Sequence, residues 1–273
     1  MITMQDILAT VALNGFLLAV IVLAVWMWRR RRPMTKEKLR RVLAHGTKPT
    51  DAAPLDGDFC CMLELERALH DSGAPLITVT ALLLGWAAEG KITLCETEKK
   101  RFKSYGDAVQ ATIQFPDSED EPFAPPQDGA EGLLLSLLYG WADETATLQE
   151  SELYNDAREY HEAVFARLEQ LSVQGRHGLR AAGVVELEQK TRKFGFADAH
   201  RTLYTPRGVR TAAQMKGYRM WMDKQSSLPP EKWRDAALLG AFEQIDNVQF
   251  ELAESIADAL INGAMAGENA EKR

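Results

Sequence analysis

The chain has 273 residues, long enough for one large domain or two small ones, and a formal charge of −7. Three cysteines, two of them adjacent (Cys60, Cys61 and Cys95), make a poor disulfide framework and fit a reducing compartment. The charge is uneven: from Met1 to Lys48 there are nine Lys and Arg against two acids, Asp6 and Glu37, which leaves 23 bases and 37 acids for the rest. A basic end is therefore joined to an acidic body, which disfavours a broad nucleic-acid-binding surface.

The first element is the uncharged run ILATVALNGFLLAVIVLAVWMW, residues 7–28. As a helix it would be about 33 Å long, enough to cross a hydrocarbon core of about 30 Å. Trp26 and Trp28 fall where an aromatic belt belongs. The preceding MITMQDI has no base, whereas Arg29, Arg30, Arg31 and Arg32 follow the run and Lys36, Lys38, Arg40 and Arg41 extend the patch. A cleaved signal peptide has the reverse order. The expectation is a single-pass anchor in the cell membrane, with the N-terminus outside and the body cytoplasmic. The basic residues would then contact anionic headgroups. Residues 1–33 form this anchor and its flank.

TKEKLRRVLAHG (35–46) reads as a juxtamembrane helix and TKPTDAAPLDG (47–57) as a linker, together the segment 34–58. FCCMLELERALHDSG (59–73) and PLITVTALLLGWAAEG (75–90) are helical, and KITLCET and AVQATIQF alternate as strands around a charged loop. Helix, helix, strand, turn, strand is the order of a winged-helix unit, here 59–117. Residues 118–128 form an acidic, Pro-rich linker. The order then recurs over 129–208: an apolar helix (129–142), one or two long helices capped by Thr147 or Ser151, and strands at VVELEQK (184–190) and RTLYTPRG (201–208). The last part, 209–273, holds three helices (209–225, 228–245 and 248–267) and a frayed tail, GENAEKR. The expected fold class is mainly α with small β-ribbons: an N-terminal transmembrane helix, tandem winged-helix-like units and a C-terminal helical cap.

LITVTALLLGWAAEGKITLCE, GLLLSLLYGWADETATLQESEL, LYTPRGVRTAAQMKGYRMWMDKQ and WRDAALLGAFEQI occur in that order. Together they resemble the cytoplasmic part of the bacterial predicted membrane proteins grouped as domain of unknown function 2207. Gly217, Tyr218 and Trp221 stand at one matching motif, and Ala236, Ala237, Leu239 and Gly240 at another. The resemblance spans roughly Leu76 to Ile245. It implies a membrane-associated cytoplasmic module and no particular reaction. Two features depart from the family: few residues precede the apolar run, and VVELEQKTRKFGFADAH stands where members carry a further hydrophobic pair.

The helix in the DNA-reading position of the first unit, VTALLLGWAAEG, has no Lys or Arg. The second unit offers Arg167, Arg176 and Arg180, followed by Lys190, Arg192 and Lys193 beside Phe194 and Phe196. These are the candidate nucleic-acid contacts. The basic loop 98–103 reads as a solvated hairpin turn. No His or Cys spacing suits a metal, and no P-loop, dinucleotide or nucleophile-elbow glycine pattern occurs, so no cofactor and no enzymatic activity are expected. Carboxylates on the helices read as solvated faces. The helical tryptophans read as core, with one alternative, a peptide groove walled by Tyr218, Trp221 and Trp233. The expected function is a membrane-tethered, non-catalytic interaction module whose partners are membrane lipid and an unidentified protein. The competing reading is a membrane-bound winged-helix transcription regulator.

Overall fold

The computed structural model describes residues 32–44, 46–70, 74–99, 108–117, 123–190 and 199–272, together with Val20 and Leu23. The anchor expected over 7–28, with Trp26 and Trp28, lies outside them apart from Val20 and Leu23, as do Arg29, Arg30, Arg31, Arg192 and Lys193. Among the described residues no helix is long and apolar enough to cross a membrane. The protein is mainly helical with small antiparallel sheets, as its composition and periodicity predict.

Helix α1 (Lys36–Ala44) buries Leu39 and Leu43, one turn apart, and leaves its other face to charge. Helix α2 (Phe59–His70) starts at Asp58, whose carboxylate accepts from the Cys61 amide at 2.8 Å. Helix α3 (Pro75–Ala88) has Pro at its entrance and buries every residue from Thr78 to Trp86, as an all-round apolar helix must. Strands β1 (Thr93–Lys99) and β2 (Ala108–Gln114) form an antiparallel hairpin. Helix α4 (Gly129–Tyr139) follows.

The next strand is one the alternation did not reveal. β3 (Thr147–Gln149) has three residues and pairs with β2, setting Leu148 opposite Ile113. Helix α5 (Glu150–Glu159) begins directly after it, with Gln149 and Glu152 forming a capping box, so neither Thr147 nor Ser151 is the cap. Tyr160 separates α5 from α6 (His161–Ala181), and strands β4 (Val185–Lys190) and β5 (Ala199–Tyr204) form the second hairpin. Helix α7 (Pro206–Met222) is capped by Thr205, whose hydroxyl accepts from Gly208 N at 3.0 Å and donates to Gly183 O at 2.6 Å. The span 228–245 is broken rather than one helix. A 3-10 turn leads into α8 (Trp233–Leu239), and Gly240, at φ 77°, ends it in left-handed geometry. Helix α9 (Asn247–Glu271) runs through most of the expected tail.

The two units are not arranged in tandem. β3 belongs by sequence to the second, yet completes the hairpin of the first. Conversely, Met34 precedes the first unit and bridges Tyr204 on the hairpin of the second, through N–H···O contacts of 2.8 and 2.7 Å. Each hairpin takes its third chain from the other half. A single buried cluster runs from Leu39 to Ala264 across the expected boundaries from 58/59 onward. The linker 47–57 is also tied down: Thr50 N donates to Gly217 O, and Gln214 Nε2 donates to the carbonyls of Ala52 and Ala53.

Helices α2 and α6 approach very closely. A Cβ on Gly175 would lie 2.1 Å from the Cys60 carbonyl oxygen, so only glycine allows this crossing. Cys60 and Cys61 fill the seam as small apolar groups, and burial pushes the Cys61 thiol up to about 12.

Candidate functional site

Three places in the fold bear on function. The first is a buried polar knot. Tyr218, on α7, is fully buried and its hydroxyl donates to Asp235 Oδ2 at 3.0 Å. Arg234 lies between Glu89 (3.8 Å), Glu131 (3.7 Å) and Asp235 (3.8 Å), and donates to Gly57 O at 3.3 Å. Its aliphatic stem crosses α3 at Gly85, where a Cβ would come within 2.7 Å of Arg234 Cδ. Burial raises the Asp235 and Glu131 carboxyls above their usual range, against the pull of Arg234.

This knot removes the alternative of a peptide groove and leaves the core reading of these aromatics. Tyr218 has no surface to offer, and it stacks on Trp221 with ring centroids 5.9 Å apart and planes 4° from parallel. Trp233 is half-buried and its indole N–H donates to Leu228 O at 2.9 Å. All three pack the α7–α8 seam instead of walling an opening, because each polar tip or ring face already has an internal partner.

The second place is a cavity of about 420 Å³ between α1, α2, α7 and α8. Leu43, Leu69, Met215 and Leu239 form its apolar wall. Arg40, Glu66, His70, Lys216, Arg219 and Asp223 carry its charge. Lys216 Nζ donates to Leu43 O at 2.6 Å, and Arg40 Nε donates to Leu69 O, which ties α1 to its neighbours. Glu66 is 8% exposed, and its carboxyl is 3.7 Å from His70 Nε2. Burial pushes Glu66 up to about 7, with Arg219 opposing, while burial and then the Arg219, Arg40 and Lys216 charges lower His70. Glu66 and Asp235 are therefore not the solvated carboxylates that their helical settings predict. The clue to Glu66 lies in FCCMLELERALH: it shares a face with Met62 and Leu69, both buried.

The third place is a more polar cleft between α1, α2, the end of α6 and the β4–β5 hairpin, lined by Lys36, Glu64, Arg176, Arg180 and Tyr204 among others. Of the candidate nucleic-acid residues, Arg176 and Arg180 line this cleft. Arg176 donates to Glu169 at 2.6 Å and Arg167 to Gln170 at 3.0 Å, both on their own helix. Arg180 is exposed. Lys190 ends β4, with its side chain outside the described residues. Of the basic flank, Arg32, Lys38 and Arg41 are exposed, while Lys36 and Arg40 turn toward the body. Among the described residues no group of three or more His, Cys, Asp and Glu is placed to hold a metal ion.

Comparison with protein-family models, curated proteins and solved structures returns no match, so the resemblance over 76–245 is carried by its sequence motifs alone.

Proposed function

We propose that the chain is a membrane-tethered, non-enzymatic interaction module, anchored by 7–28 and carrying its body on the cytoplasmic side. The supporting observation is the junction. Directly after the arginine run, Met34 is bridged to Tyr204 and Leu39 is fully buried against the body. Only five residues separate a span ending near Trp28 from Met34, so the body would sit within about 20 Å of the membrane surface, with Arg32, Lys38 and Arg41 exposed. The reading also takes the two halves as winged-helix-like units. Each half runs from a short pairing segment through helices into a hairpin, with the pairing segments exchanged. In this reading the chain is a compact relative of the family that 76–245 resembles, with protein and lipid as its partners.

The test is topology in living cells. C-terminal fusions of the full chain to a cytoplasm-active fluorescent protein and to a periplasm-active phosphatase should give fluorescence without phosphatase activity, and the chain should resist carbonate extraction. Phosphatase activity or release by carbonate would overturn the reading. Full chain in nanodiscs should not bind duplex DNA at low salt, because Arg167 and Arg176 are engaged on their own helix. Salt-dependent binding would favour the transcription-regulator reading.

A further inference from the structure

The cavity between α1, α2, α7 and α8 combines an apolar wall with charged side chains, the usual make-up of a small-molecule site. Its wall is apolar, built from Leu43, Leu69, Met215 and Leu239. Three bases, Arg40, Lys216 and Arg219, line it together with Asp223, Glu66 and His70. Among the described residues no hydrogen bond or ion pair within 4 Å ends on the Arg219 guanidinium, although it is half-buried beside that wall. A guanidinium in such a place is matched by a ligand that brings an anion and an apolar chain together. The volume of about 420 Å³ lies in the range of small-molecule sites, roughly 300–1,000 Å³.

We propose that this cavity binds one fatty carboxylate, its chain along the Leu43–Met215 wall and its head on Arg219 and Lys216. Lys216 keeps donors beyond the one given to Leu43 O, and Glu66, when protonated, adds an O–H donor beside the head. The inference needs only the cavity and stands apart from the tether.

The experiment uses full chain in phosphatidylcholine nanodiscs, titrated with dodecanoate carrying a chain-end diazirine, with photo-adducts mapped by mass spectrometry. Adducts are expected on Leu43, Met215 or Met220, competed by plain dodecanoate and not by dodecyltrimethylammonium. Arg219→Ala should weaken labelling by about tenfold. Ala44→Trp, an exposed rim change that leaves the core alone, should block it. Adducts confined to residues 7–28, equal competition by the cationic amphiphile, or full labelling in both variants would overturn the proposal. Loss of labelling when phosphatidylglycerol is added to the disc would also overturn it, in favour of a bilayer lipid as occupant.

Discussion

Met34 and Tyr204 exchange two backbone hydrogen bonds across 170 residues of sequence, Met34 N to Tyr204 O at 2.8 Å and Tyr204 N to Met34 O at 2.7 Å. The bridge sits where the basic flank meets the folded body, and it adds a third chain to the β4–β5 hairpin. Met34→Pro removes one donor and restricts the residue before it. Exchange of the Tyr204 amide should quicken by roughly tenfold, equivalent to about 1.4 kcal/mol of lost protection. The amides of the β1–β2 hairpin, whose third chain is β3, should be unchanged. Equal quickening in both sheets would mean that the two hairpins open together and that the bridge has no local role.

Gly175→Ala tests the crossing of α2 and α6. Its methyl would collide with the Cys60 carbonyl at 2.1 Å, and backbone cannot step aside as a flexible side chain can. The helices must separate, at a cost of about 3 kcal/mol or more. Gly140→Ala is the control: its φ is −65° and its nearest neighbour would be 3.4 Å from the new methyl, so the change should stay within about 0.5 kcal/mol of neutral or stabilise. Urea denaturation of the two variants would separate close packing from backbone entropy.

Tyr218→Phe tests the buried knot. The ring volume stays, but Asp235 Oδ2 loses its 3.0 Å donor in a buried setting. The expected cost is about 1–3 kcal/mol, the penalty for leaving an acceptor without its partner. Asp235→Asn should be milder if its amide accepts from Tyr218 in the same way. With Asp235→Ala in place of Asp235→Asn, the double variant should cost less than the sum of its two single changes, because each of them removes the one interaction that the partners share. Additive losses would show that the hydroxyl and the carboxyl act independently.

These contacts show what the sequence could and could not disclose. Helix α3 is apolar on all sides, which predicts a central buried helix, and it is one. The Thr205-Pro206 pair marks the start of α7 by its cap and its fixed φ. β3 escaped because three residues are too few for an alternating pattern; its place is fixed by Leu148 lying opposite Ile113, a long-range pairing. The exchange of pairing segments escaped for the same reason. Periodicity reports which face of an element is buried, not which partner buries it. Tyr218, Trp221 and Trp233 are identifiable as large aromatic residues, but whether they wall a groove or seal a seam depends on Asp235 and Leu228 taking up the polar tips of Tyr218 and Trp233, and on Trp221 stacking on Tyr218. The cavity beside α1 was not legible at all, since it needs α1, α2, α7 and α8 to converge.

Glu66 makes the convergence of those helices measurable through pH. Burial raises its folded carboxyl to about 7 from an ordinary value of 4.5. Between those values the folded chain holds a proton that the unfolded chain has released, so this group lowers stability as pH rises through that window. The full effect, reached above pH 7, is on the order of 3 kcal/mol for a shift of this size in a group only 8% exposed. His70 has the opposite sign, because its lowered folded value makes the unfolded chain the better proton binder near pH 6, and it offsets part of the slope. Glu66→Gln removes the carboxyl contribution and keeps His70. The stability of Glu66→Gln relative to the parent should therefore increase on going from pH 5 to pH 8 by an amount approaching that figure. Denaturant titrations of both proteins at the two pH values read this difference directly. A difference that does not change with pH would mean that the Glu66 carboxyl is solvated and that α1 does not close over it.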